Sequence, residues 1–360
     1  MERRYLRFGW MWLLMMAVCC SCSDNEHSDG LGMMRQATMT LLAEPDGVGD
    51  NGYYDCVMEG LFSFVERTGT RMNLLQPLDK QEAEQMLRKW LNENVNRDSS
   101  VLVVGGHVYE DMVARANVEL TGKGSRVLLF ESLRKDFPAD VSAFAVNRYG
   151  AGYLAGAMSG LFDALVWISS PGNVLFETAA KGFQDGHEKH RAEGCSVTVN
   201  YLAADEGMFV SSDSVYRAAS LCESLSSSEG VMLFPLLGAS ASGLVHYLND
   251  EGFTSSLMIG MDVDYTGRCT RVPFSLVTRI GNVLNQYLTD WLEGREWPTW
   301  QSFGLQDGIT DVVMTPGFLE NLDMWDWRYE EEGTFLKLYE QYKNEAIIKE
   351  EEYDGYGRTE

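Results

Sequence analysis

From residue 37 onward, apolar runs of strand length alternate with amphipathic helical patterns. The runs predict strands over Ala37–Leu42, Arg71–Leu75, Ser100–Val104, Arg126–Phe130, Ser142–Val146, Leu165–Ile168, Ser196–Tyr201, Val231–Phe234 and Ser256–Gly260. Helices are predicted over Tyr53–Arg67, Lys80–Asn92, Glu177–His190, Ser211–Leu225 and Ala241–Asn249. In Lys80–Asn92 the apolar Ala83, Met86, Leu87 and Trp90 recur at helical spacing, which marks one buried stripe. Several strands, such as Val101–Val104, are continuously apolar instead of alternating, as expected of a parallel sheet covered by helices on both faces. About five strand–helix units precede residue 147 and about four follow it. The expected fold class is therefore α/β, with two Rossmann-like lobes, 37–146 and 147–260, and a cleft between them.

The ends read differently. Met1–Ser23 has a basic start (Arg3, Arg4, Arg7), then the short apolar run Trp10–Val18, then Cys19, Cys20 and Cys22. That run is too short to span a bilayer, so 1–21 is expected to be an export signal. The three cysteines resemble a bacterial lipoprotein signal. Cys22 is the expected lipidation site, because Cys22-Ser23-Asp24-Asn25-Glu26 resembles the Ser-plus-acidic tag of surface-exported lipoproteins. Residues 22–36 then form a flexible tether. The expected location is the cell envelope, lipid-anchored at the outer membrane or on its surface. At the other end, 329–360 carries ten acids and four bases and predicts a solvated acidic helix and a frayed tail.

Charge removes partners. The chain has 29 Lys plus Arg against 53 Asp plus Glu, a net charge of −24. Without residues 1–21, which hold three Arg and one Glu, it is −26. Phosphate backbones and anionic lipid surfaces need clustered cations, so neither nucleic acid nor an electrostatic membrane partner is expected.

Several local patterns could carry chemistry. Gly47-Val48-Gly49-Asp50-Asn51-Gly52 spells a dinucleotide fingerprint, but Asp46, Asp50 and Asp55 would repel a pyrophosphate, and the second strand ends in Leu75-Gln76-Pro77 without a ribose-binding acid. It reads instead as a tight turn at the cleft, and no cofactor is expected. His187 and His190 share one helix near Cys195, a spacing that permits metal ligation, but the HExxH pattern is not met and no carboxylate partner is evident, so no metal is expected. His107 follows Gly105-Gly106 at a strand end, where open α/β sheets bind ligands. Ser240, in the small-residue loop Gly238–Gly243, sits at a helix entry where backbone amides can approach a ligand. Asp262 and Asp264 flank a strand exit, and carboxylates there can hold vicinal sugar hydroxyls. No nucleophile–base pair is evident, so an enzyme is not expected. Among the body cysteines, a strand and its returning helix bring Cys195 and Cys222 to one sheet edge, which predicts a disulfide between them.

Taken in order, these segments resemble the basic membrane protein family, lipoprotein substrate-binding proteins of ABC importers. Asp50-Asn51-Gly52-Tyr53-Tyr54-Asp55 followed by Glu59-Gly60-Leu61 is similar to the family's first-strand exit. Tyr149-Gly150-Ala151-Gly152-Tyr153-Leu154-Ala155-Gly156-Ala157 resembles its inter-lobe element, and Lys181–Gly186 its Ala-Gly-Phe-Arg-Ala-Gly segment. Ile259-Gly260-Met261-Asp262-Val263-Asp264 resembles Ile-Gly-Val-Asp-Ser-Asp, and Gly304–Gly308 resembles Gly-Leu-Lys-Asp-Gly. Departures are Tyr54 for the family Asn, Thr278 for a Lys, and Gly238-Ala239-Ser240-Ala241 for Gly-Gly-Thr-Gly.

The resemblance implies a type 1 periplasmic-binding fold whose lobes close on a ligand, with 261–328 as crossover segments completing both lobes. By analogy with nucleoside-binding members, Tyr53 would stack on a base and Asp55 would read its edge, with Tyr54 standing at the family's Asn beside them. Asp262 or Asp264 would hold ribose hydroxyls, and Asp50 lies beside them. The implied partners are a small nucleoside- or sugar-like ligand and an ABC permease. An alternative from another class is a surface interaction or sensory lipoprotein whose cleft is degenerate or repurposed.

Overall fold

The computed structural model describes residues 37–353 apart from 46, 51, 95–98, 117–123, 206, 207, 209, 227–229, 251–254, 319, 321 and 323–331. The expected signal, the tether and Cys22 lie outside the described residues. No described helix is long and apolar enough to cross a membrane.

The first lobe is a six-stranded parallel sheet in the order β12-β5-β4-β3-β1-β2. Its strands are β1 (Thr38–Leu42), β2 (Arg71–Leu75), β3 (Ser100–Gly105), β4 (Arg126–Phe130), β5 (Val141–Val146) and β12 (Trp300–Phe303). Alternation of side chains sends Val101 and Val103 to one face, with α1 (Tyr53–Thr68) and α8 (Ile280–Leu292), while Leu102 and Val104 meet α2 (Lys80–Asn94) and α3 (Glu110–Arg115) on the other. Covering both faces is what makes these strands continuously apolar.

The second lobe has a parallel sheet in the order β7-β6-β8-β9, from β6 (Ala164–Ile168), β7 (Val197–Tyr201), β8 (Met232–Leu236) and β9 (Leu257–Met258). Its helices are α4 (Tyr149–Met158), α5 (Val174–His190), α6 (Ser212–Leu221) and α7 (Ala241–Asp250). A three-stranded sheet, β10 (Gly260–Asp262), β11 (Phe274–Thr278) and β13 (Thr310–Met314), continues beside β8, with β13 antiparallel to β11. Helices α4 and α5 approach so closely that a Cβ at Gly156 would stand 2.0 Å from the Phe183 carbonyl oxygen. One at Gly186 would stand 2.0 Å from that of Tyr153. The glycines of these two segments are therefore packing residues.

Three chain crossings join the lobes and lie side by side. Asn147 N–H donates to Phe303 O at 2.6 Å, Thr310 Oγ1 to Asn147 O at 3.3 Å, and Arg279 N–H to Ile309 O at 2.7 Å.

Two expectations need correction. The acidic C-terminal helix α9 (Glu332–Glu352) is not a solvated rod: Phe335 and Ala346 are buried in the second lobe's core. Its charges have protein partners. Glu350 accepts the Gly150 and Leu305 amides, both at 2.8 Å. Glu345 accepts Tyr153 Oη at 2.7 Å and pairs with Lys189 and His190, and Tyr353 stacks on Tyr149 with centroids 4.1 Å apart. Nor are Cys195 and Cys222 joined; both are thiols in the structure. Cys195 precedes β7 and Cys222 caps α6, so the elements run as expected without the covalent link.

Candidate functional site

The C-terminal ends of the strands in both lobes face one another, and a buried polar network occupies the centre. Glu131, just after β4, and Asp262, closing β10, both have positive φ, +58° and +64°. This left-handed backbone is uncommon for residues other than glycine and costs of order 1–3 kcal/mol each, so the surrounding contacts must hold it. They do so through Arg148, at the crossing between β5 and α4. Arg148 Nη2 donates to Glu131 Oε1 at 2.6 Å, and its Nε stands 3.6 Å from Asp262 Oδ1 without a hydrogen bond. Arg148 is 3% exposed, Glu131 2% and Asp262 7%. Tyr53 Oη also donates to Glu131 Oε1 at 2.6 Å, and the Arg148 guanidinium lies 5.4 Å from the Tyr53 ring centroid. Thr278 Oγ1 donates to Asp262 Oδ1 at 2.9 Å.

Electrostatics follow from burial and from these neighbours. Burial opposes the charge on Arg148, but Glu131 and Asp262 outweigh it and push its pKa well up. Burial raises the Asp262 carboxyl, with Arg148 and Thr278 pulling it back. The Tyr53 phenol is pushed far up by burial and then by Glu131.

Two chambers flank this network. The first, about 320 Å³, is lined by Asp50, Gly52 and Tyr53 from the first lobe and by Ala239, Ser242, His246, Asp262, Tyr265 and Arg268 from the second. The second, about 570 Å³, is walled by Glu44, Lys80, His107 and Asp111 on one side and by Ser169, Ser170, Asn173, Ala239 and Ser240 on the other. Ala239 lines both.

The structure divides the sequence-derived candidates between these places. Tyr53 and Asp262 meet in the central network and line the first chamber. Asp50 lines that chamber but also holds the start of α1, accepting the Gly52 amide at 2.8 Å and the Tyr54 amide at 3.2 Å; burial raises its pKa. His107 lines the second chamber, where burial lowers its pKa and so favours the neutral imidazole. Ser240 lines it too, with its hydroxyl donating to Leu237 O at 2.7 Å. Tyr54 turns into the first lobe's core, where its Oη accepts the Glu44 amide at 3.0 Å. Asp55 sits in the first turn of α1 and lines neither chamber. Asp264 closes a turn onto Thr266, accepting its amide at 2.8 Å and its hydroxyl at 2.7 Å, and also lines neither chamber.

Glu131, Arg148, Glu44 and Tyr265 were not singled out by the sequence. A signal existed for Glu131, a lone acid directly after the continuous apolar strand Val127–Phe130, at the edge where such sheets bind ligands. Among the described residues no cluster of His, Cys, Asp and Glu is arranged to hold a metal ion.

No protein-family model matches the chain, and no curated protein matches it. Solved structures do. An ABC transporter solute-binding protein from Aeropyrum pernix K1 superposes with a TM-score of 0.66 at 13% identity, covering 88% of this chain and 90% of its own. A transcriptional activator of the comK gene from Bacillus halodurans gives 0.62 at 15% identity, covering 85% and 97%. A carbohydrate transporter solute-binding protein from Agrobacterium radiobacter, in complex with D-arabinose, gives 0.56 at 13% identity, covering 82% and 100%. The chain has the type 1 periplasmic-binding fold. Transport proteins and transcription regulators both appear among its structural neighbours, so the fold leaves the activity to be argued from the cleft.

Proposed function

We propose that the protein is a substrate-binding protein that captures a small hydroxylated ligand between its lobes, without catalysing a reaction. The observation that carries this reading is Asp262. Both of its side-chain contacts among the described residues fall on Oδ1 and the residue lines the first chamber, which leaves Oδ2 for a ligand hydroxyl. The Tyr53 and Tyr265 side chains beside it offer apolar surface to a ring, and Ser242 and His246 offer further polar groups. A sugar or the ribose of a nucleoside suits this lining, and the Agrobacterium neighbour was solved with a pentose. Lobe closure over the ligand would bend the three crossings.

The finer reading follows the resemblance to the basic membrane protein family: a lipoprotein held through Cys22 that delivers a nucleoside-like ligand to an ABC permease. Radiolabelled palmitate incorporation, lost on Cys22→Ala together with recovery in the membrane fraction, tests the anchor. Thermal denaturation with sugars and nucleosides at millimolar concentration tests the ligand class, because a ligand that binds only the native state raises the melting temperature. No shift with any of them rejects that class.

One observation favours the second reading, a surface or sensory protein with a repurposed cleft. The two acids at the centre already have the chain's own Arg148 as a partner. A purified protein that retains no small molecule in native mass spectrometry and binds none added would decide for it.

A further inference from the structure

We propose that the cleft takes an oligosaccharide of at least two sugar units, one ring in the chamber at Tyr53 and the next in the chamber at Glu44 and His107. This rests on the hydroxylated-ligand reading above and adds the length of the ligand to it.

The first chamber, about 320 Å³, lies at the lower end of the range of small-molecule sites, about 300–1,000 Å³, and suits a single ring. The second, about 570 Å³, is the larger of the two, is also walled by both lobes, and adjoins the first at Ala239, which lines both. Closing the lobes on one ring alone would leave it unfilled.

The second chamber is furnished for hydroxyls. Glu44 accepts no side-chain hydrogen bond from any described residue, yet burial, with Glu131 nearby, raises its pKa to about 7. Its carboxyl rests against Gly106, where φ is +95° and an added Cβ would stand 1.4 Å from Glu44 Oε1. Only glycine leaves this seat open. A carboxyl titrating near neutrality, the neutral imidazole of His107 and the Ser169 and Ser170 hydroxyls can each donate or accept, as a ring of hydroxyls requires. A phosphate or other anion would instead meet Glu44 and Asp111 with Lys80 as the one cation lining the chamber. Among the described residues no Phe, Tyr or Trp ring lines it, so the second sugar is held by its edges and against Val108, Pro171 and Leu237.

Isothermal titration of the full-length protein tests this with D-arabinose, D-galactose, D-xylose and adenosine, set against arabinobiose, galactobiose, xylobiose and their trisaccharides. The expected result is a disaccharide that binds at least about tenfold more tightly than its own monosaccharide. Val108→Trp, which fills the second chamber, should erase that difference, and His107→Ala should reduce it. A monosaccharide or adenosine that binds as tightly as every longer sugar overturns the proposal and leaves the hydroxylated-ligand reading standing. A gain with chain length that survives both substitutions also overturns it. Binding of nothing in the panel rejects both readings together.

Discussion

Arg148 Nε stands 3.6 Å from Asp262 Oδ1, closing an ion pair between the crossing that leaves the first lobe and a strand end of the second. The same guanidinium holds Glu131 at 2.6 Å, so one cation is shared by two acids, which the Tyr53 and Thr278 hydroxyls also serve as donors. Breaking such a network by removing one partner costs more than the network contributes as a whole, because the remaining charges stay out of water.

Arg148→Met should therefore be strongly destabilising, by about 3–5 kcal/mol. The triple substitution Arg148→Met, Glu131→Gln, Asp262→Asn should recover a large part of that loss. Urea denaturation of the three proteins measures it. Equal stability of wild type and Arg148→Met would mean that water already reaches the acids.

Tyr53→Phe removes the hydroxyl that donates to Glu131 Oε1 at 2.6 Å but keeps the ring. A hydrogen bond to a charged group contributes about 1.5–3 kcal/mol, and stability should fall by that order. Ligand affinity should change less, since the ring remains at the chamber wall. Tyr53→Ala should weaken binding at least about tenfold in calorimetry, a loss of about 1.4 kcal/mol.

Much of this fold was legible from periodicity. Arg71–Leu75 and Arg126–Phe130 have the bounds that the apolar runs predict, and the helix starts at Tyr53, Lys80 and Ala241 agree as well. Helices α3, α4 and α8 and strands β11, β12 and β13 were not read as elements. In α4 every residue is buried, which erases the amphipathic contrast, and the Gly-rich Tyr149–Ala157 has poor helix propensity that tight packing overrides. The cleft was legible only by halves. Asp262 stands at a strand exit, where position marks it, whereas Tyr53 is marked by the family resemblance. Glu131 and Arg148 are 17 positions apart and far from Asp262 in sequence, and no local motif joins them; the sheet topology does. The acidic tail misled for a different reason. A run of charges is normally a solvated face, but Glu345 and Glu350 point to amides, a phenol and cations of the second lobe.

The half-buried Glu44 sets a pH dependence with a definite sign. Its carboxyl titrates near 4.5 in the unfolded chain and at about 7 in the native state, raised by burial and then by Glu131, with Lys80 opposing and Asp50 adding to it. Folding takes up a proton between those values. The contribution to stability is thus full below pH 4.5, is lost as pH rises through 7, and then stays lost. Glu44→Gln should be more stable than wild type at pH 8, by at most about 3 kcal/mol, and should gain nothing at pH 4. Urea midpoints at the two pH values test this; a substitution that destabilises equally at both would show that Glu44 is solvated.

Glu350 ties α9 to the crossings, and its loss should be felt there first. It accepts the Gly150 amide at the start of α4 and the Leu305 amide just past β12, so one carboxyl spans two of the three connections between the lobes. The third is reached through Asp311, which accepts Lys343 of α9 at 2.8 Å and pairs with Arg279 at 3.4 Å. Glu350→Ala leaves two amides without their acceptor, at about 1–3 kcal/mol for each that stays buried. Hydrogen exchange at Gly150 and Leu305 should accelerate by at least about tenfold, while amides of β3 and β4, in the first lobe's core, should keep their protection. Uniform acceleration throughout the chain would show instead that the substitution lowers global stability and that α9 does not act on the crossings.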